Sequence, residues 1–179
     1  MTRTLARGVL GLILCLQVVA VPAIAGVPAG DAYVNIDKAP RKAAVDAGER
    51  FLGKEFNGSR PLELGAVGPL PALKSDDRFG CDWTTAQSID QSGRVPEGWI
   101  GVTRREGTCF QFQEKINAAQ AAGADGLIVV TNARGVDVNG TAVSAFPVVL
   151  ISQEEGERLL RSIKMARPTA VQVTIEDAG

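Results

Sequence analysis

Histidine is absent from all 179 residues, and this excludes more chemistry than anything the chain contains. Ser-His-Asp and Cys-His centres, zinc peptidase motifs and imidazole metal sites all depend on it. Carboxylate pairs survive in principle, as in glycoside hydrolysis, but no two of the 20 Asp and Glu residues are marked out by their order as a facing pair. An excess of charge is lacking too, with 19 basic residues against 20 acidic ones. Nucleic acid and anionic membranes both require a concentrated basic surface, so neither is expected as a partner. Cysteine is scarce, at three residues. Metal sites want more ligands close by, and redox pairs usually sit as C-x-x-C. No metal and no cofactor is expected.

The amino end reads as an address. Arg3 and Arg7 precede an apolar run from Val9 to Ala20, and Ala23-Ile24-Ala25 offers small residues at a cleavage site. A signal peptide over residues 1–25 is predicted, cut after Ala25. Gln17 interrupts the run and Pro22 stops it, short of the roughly 20 apolar residues that a bilayer span needs. The product is expected to be secreted, periplasmic or lumenal, with no membrane insertion after cleavage. Removing Arg3 and Arg7 moves the formal net charge from −1 to −3. The mature chain, from Gly26, is long enough for one domain with a real core. Of the cysteines only Cys81 and Cys109 remain. In an oxidising compartment such a pair is read first as a disulfide, worth about 3 to 4 kcal/mol on the chain-entropy model.

Regularity increases along the chain. Residues 26–73 read as an amino-terminal extension, with a short strand at Tyr33–Ile36, a helix from Pro40 to Leu52 that packs on or leads into the main domain, a turn at Asn57-Gly58-Ser59, and loop from Gly65 to Pro71. The main domain is expected over residues 74–176. A strand at Trp99–Thr103 is followed by Phe112, Ile116 and Ala119 on one helical face, with Gly123 as its stop. Leu127–Val130 is an all-apolar strand of the sort covered on both faces. Phe146–Ile151 supplies another, after a polar loop. Ser152 and Glu155 form a capping box for a helix whose core face is Leu159, Leu160 and Ile163, with Arg161 and Lys164 in its last turn. Val171, Val173 and Ile175 alternate with polar residues in a final strand.

Five elements of this stretch occur in a familiar order. They are Arg104-Arg105-Glu106-Gly107-Thr108-Cys109, Phe112 to Lys115 as F-x-x-K, Ala118 to Ala124 with the strand Leu127–Val130, Phe146-Pro147 leading to Ile151, and Ser152 with Gly156. Together they resemble the protease-associated (PA) domain family over about half of the chain. Two departures fall in the loop that ligand-binding relatives use: Glu106 stands where a glycine often follows the arginine, and one extra residue lies between Cys109 and Phe112. The resemblance implies an α+β fold, an open mixed β-barrel or sandwich flanked by α-helices, with Cys81 and Cys109 joined.

The family is regarded as a set of interaction modules without hydrolytic activity, many of them attached to secreted proteases or sorting receptors. The resemblance therefore implies a freestanding, exported, non-catalytic module for a peptide or protein ligand, with a secreted protease among its possible partners. Arg105 matches the arginine that meets a ligand carboxylate in peptide-binding relatives, and Arg104 is its neighbour. A guanidinium suits this because its fork of donors grips a carboxylate at two points. Against it stands the ordinary fate of arginines, which is solvation or structural pairing at a surface. Two alternatives remain: a small secreted hydrolase using a loop residue such as Ser144 or Asp137, and a structural envelope or matrix protein. Asn57 and Asn139 head two sequons.

Overall fold

Seven strands close into one barrel. They are β1 (Asp31–Lys38), β2 (Arg50–Glu55), β3 (Val67–Lys74), β4 (Ile100–Arg104), β5 (Gly126–Val130), β6 (Val148–Ile151) and β7 (Gln172–Asp177). Around the ring they run β1-β2-β6-β5-β4-β3-β7 and back to β1. The computed structural model describes residues 30–106, 111–132 and 143–179. The expected signal peptide and its cleavage site, Cys109, Asp137 and the sequon at Asn139 lie outside them.

Strands β3, β4, β5 and β6 are mutually parallel, and the other pairings are antiparallel. Parallel neighbours need crossover connections, and two of these are helical: α1 (Thr84–Gln91) joins β3 to β4, and α2 (Phe112–Ala121) joins β4 to β5. The mixed barrel implied by the resemblance is therefore present, and its ring is closed, because β7 pairs with both β1 and β3.

Period-two alternation divides the apolar residues between two cores. Inside the barrel lie Val34, Ile36, Phe51, Ile100, Val102, Ile128, Val130, Val149, Ile151, Val173 and Ile175. Leu159 and Leu160 of α3 (Gln153–Ser162), with Ile163 just beyond it, join this cluster. The second core covers the outer face of the parallel strands: Leu73, Leu127, Val129, Val148 and Leu150 pack with Trp83, Ala86 and Ile89 around α1 and with Ile116 and Ala119 of α2. Strands β5 and β6 are uniformly apolar because both of their faces are covered.

The first third of the chain corrects the sequence expectation most. No helix forms over Pro40–Leu52; residues 41–48 are turns, and Arg50–Glu55 is strand β2. The small apolar residues that look helical are drawn under α3 instead, where Ala44 N–H donates to Ser162 Oγ at 2.9 Å and Arg158 Nε donates to Ala44 O at 2.9 Å. Nor is Gly65–Pro71 wholly loop, because β3 begins at Val67. A shift of register between Val67 and Leu70 lets Pro69 sit in the strand without an N–H to give. Gly68 adopts φ +128°, and a Cβ there would stand 2.5 Å from Val173 O. Residues 31–74 thus supply three of the seven staves, so they do not form an extension leading into the barrel. Helix α1 was not anticipated.

Helix α3 starts as expected: Ser152 Oγ accepts the Glu155 N–H at 3.3 Å while its hydroxyl donates to the Glu155 carboxylate at 2.7 Å. It ends at Ser162, so Arg161 lies in the last turn and Lys164 beyond it.

Candidate functional site

All four parallel strands end at the same rim of the barrel, where Arg104 and Arg105 lie. Arg104 is the last residue of β4, and alternation decides where it points. Ile100 and Val102 face the interior, and Arg104, next in phase, meets the helix that plugs the barrel. Its Nε and Nη2 donate to the two carboxylate oxygens of Glu157 on α3 at 2.6 and 2.7 Å. Both side chains are half-buried. These hydrogen bonds from Arg104 hold the Glu157 carboxyl below the usual carboxylate range; burial opposes them, and the charges of Arg104, Arg161 and Arg78 add to them.

Arg105 lies on the other side of the strand. Its N–H extends the ladder to Val130 O at 2.9 Å. Its guanidinium carbon lies 5.5 Å from the ring centroid of Phe112, at the start of α2, within reach of a cation–π contact. Phe112 in turn stacks on Phe56 with centroids 4.4 Å apart and the rings tilted by 31°. Phe112 is therefore both a half-buried member of the outer core and the floor beneath Arg105. The two adjacent arginines do not converge on one point, because consecutive residues of an extended chain face opposite ways.

The loop before Cys81 is fastened from both sides. The Asp77 carboxylate accepts the backbone N–H groups of Gly80, Cys81 and Asp82 at 3.1 Å. From α2, the buried Lys115 donates its ammonium to Phe79 O. Burial lowers the pKa of Lys115, and the charges of Asp77 and Glu114 resist that shift. Cys109 lies outside the described residues, so its union with Cys81 is carried forward as a proposal.

Further along the rim, Asn132 donates to the Glu106 carboxylate. Gln113 clamps Val143 at two points, accepting its N–H at 2.8 Å and donating to its carbonyl at 2.9 Å. Ser144 is buried, and its hydroxyl oxygen accepts the Phe146 N–H at 3.2 Å. Among the described residues there is no group of three or more Cys, Asp or Glu placed to hold a metal ion, and no helix is long and apolar enough to cross a membrane.

Three contributors escape the sequence reading. Glu157 carries no local signal, since only the folded plug brings α3 to the end of β4. Arg78 and Arg161 surround it for the same reason. The structure buries Lys115 beside Ile116 and Ala119 on α2, though only its place in F-x-x-K was legible. Its partner, Phe79, was not.

A seven-stranded mixed barrel plugged by one helix and flanked by two defines the class of fold. The chain belongs to the PA domain family, whose profile matches residues 66–159, just over half of the chain. No curated protein matches it. Among solved structures it is similar to a zinc aminopeptidase from Bacillus subtilis, with 20% identity and a TM-score of 0.52, over 83% of this chain and 30% of that one. An aminopeptidase from Aneurinibacillus sp. strain AM-1 is similar at 20% identity and a TM-score of 0.51, again over 83% of this chain and 30% of the other. At that identity the likeness speaks for the fold. The chain corresponds to less than a third of each aminopeptidase.

Proposed function

We propose that the mature chain is an exported, non-catalytic module that holds a peptide or protein ligand at the rim where the parallel strands end, with Arg105 as the contact for a ligand carboxylate. The observation that carries this is the seat of Arg105: a half-buried arginine whose guanidinium lies over an aromatic ring, at the end of a strand whose backbone is fixed by the barrel. A rigid base beneath a charged fork is what two-point recognition of a carboxylate needs. Membership of the PA family supports an interaction role, and the likeness to domains of aminopeptidases supports a secreted protease as the partner class. The buried seat of Ser144 supports the non-catalytic reading, since an unassisted hydroxyl is a weak nucleophile. The proposal includes export through residues 1–25 and a Cys81–Cys109 disulfide.

The test is calorimetry at low salt with a short peptide that has a free carboxyl end. Arg105→Ala should weaken binding by about 1.5 to 3 kcal/mol, the worth of hydrogen bonds to charged groups. Arg105→Lys should restore only part, because an ammonium has no planar fork. Equal affinity for the wild type and Arg105→Ala would refute the site. Turnover of a peptide or ester substrate by the purified protein would refute the non-catalytic reading.

A further inference from the structure

We infer that Glu157 is an intramolecular stand-in for the ligand: its carboxylate fills the fork of Arg104, and a peptide bearing a second carboxylate engages Arg104 by displacing it. This rests on the rim being a peptide site, and it assigns that site a ligand class, namely peptides with an acidic side chain close to a free carboxyl end.

The geometry of the Arg104–Glu157 pair is the one a bound carboxylate would adopt, with two parallel N–H···O bonds at 2.6 and 2.7 Å. A sealed ion pair would resist exchange, because opening it strands a charge away from water. This pair is not sealed. The Arg104 and Glu157 side chains retain 27% and 29% of their exposure, so water and ligand reach both. Swapping one carboxylate for another leaves the number of charge-assisted bonds to Arg104 unchanged.

The displaced group also has somewhere to go. Glu157 borders an open cavity with Ser152, Gln153, Glu154, Arg158 and Arg161. Arg161 follows it at i+4 on α3, the spacing at which a helical glutamate meets a basic residue. Arg158 already holds Glu49 through its Nη2 at 2.6 Å, which leaves Arg161 to receive the swung carboxylate. Arg104 and Arg105 face opposite sides of one strand end, so a single carboxylate cannot satisfy both. Two carboxylates on one peptide can.

Two acetylated pentapeptides with free carboxyl ends are compared by low-salt calorimetry, one with an aspartate next to the terminal residue and one with asparagine there. Glu157→Gln should tighten the aspartate peptide by about two- to fivefold, the range left for a partly screened pair, and leave the asparagine peptide unchanged. Adding Arg104→Ala to Glu157→Gln should remove the gain. Equal affinities of wild type and Glu157→Gln for the aspartate peptide, with both peptides still bound through Arg105, would overturn the stand-in and leave the wider reading intact. Failure of every variant to bind either peptide would overturn both. A tenfold excess of inorganic phosphate that displaces the aspartate peptide, but not the asparagine peptide, from Glu157→Gln would overturn the assignment to peptides. Should Glu157→Gln fold poorly, the wild type labelled with 15N-arginine gives the answer directly: the Arg104 Nε–H resonance must move with the aspartate peptide and stay with the other, and no movement refutes the exchange.

Discussion

Gly156 of α3 lies so close to Val130 of β5 that a Cβ at residue 156 would stand 2.3 Å from Val130 Cγ1. On an open helix surface, Gly→Ala stabilises by about 1 kcal/mol through backbone entropy. Here the sign should reverse. Val130 is a buried stave of the barrel and has no room to yield, so Gly156→Ala should destabilise by about 1 to 3 kcal/mol, as overpacked cores do. Denaturant unfolding monitored by tryptophan fluorescence would show the midpoint fall, and a rise would contradict the plug arrangement.

The pair that follows from this close seating has a definite pH dependence. The carboxyl of Glu157 titrates lower in the folded state than in the unfolded one. Its stabilisation is therefore complete above the ordinary glutamate range and is lost as pH falls through the folded value. Because both partners are partly exposed, the contribution should be no more than about 1 kcal/mol. Wild type should melt above Glu157→Gln at neutral pH and low salt, the gap closing in acid and narrowing in high salt. A gap that persisted in acid would mean that Glu157 acts through packing, not through charge.

How much of this was legible beforehand depended on whether partners were local. The capping box of Ser152 and Glu155, the all-apolar strands β5 and β6, and the alternation of Val171, Val173 and Ile175 are signals carried within a few residues, and the structure bears them out. Residues 40–74 misled because their hydrophobic pattern serves distant neighbours: Ala43 and Val45 pack in the inner core, and Gly53 is glycine because a Cβ there would lie 2.6 Å from Val149 Cγ1. At the site, the motif around Arg104 and Arg105 marked the end of β4. It could not say that the two arginines diverge, since that follows from where β4 stops, nor that Glu157, 53 residues away, already grips one of them.

Lys115 should reveal itself by an alkaline effect of the opposite sense. Burial lowers its pKa below the unfolded value, so the folded state gives up its proton first, and stability gains as pH rises through the folded value towards the unfolded one. Lys115→Met keeps the side-chain bulk but leaves Phe79 O without its donor, a loss of about 1 to 3 kcal/mol where that carbonyl stays dry. The variant should be less stable at neutral pH, and the deficit should widen in alkali because only the wild type gains there. Parallel pH profiles for the two proteins would show that the ammonium is not what holds the loop.

The proposed disulfide bears directly on the proposed function. Cys81 sits at the end of a loop already wound on Asp77 and pinned by Lys115, so that half of the bridge is rigid without it. The other half, Cys109, follows Arg105 by four residues. Cross-linking a loop of this length stabilises by about 3 to 4 kcal/mol on the chain-entropy model, and a domain of this size loses roughly 2 to 4 °C of melting temperature for each kcal/mol removed. The Cys81→Ser/Cys109→Ser double variant should therefore fold with a melting temperature lower by about 6 to 16 °C, as those two estimates combine. Because the Cys81 loop is held independently, the effect on binding should pass through the segment that bears Arg105. Peptide affinity should fall in the double variant measured well below its melting temperature, and adding Arg105→Ala to it should cost less than the same change costs the wild type. Undiminished affinity in the double variant would show that the barrel alone positions Arg105, and free thiols in the wild type, titrated after denaturation without reductant, would remove the bridge itself.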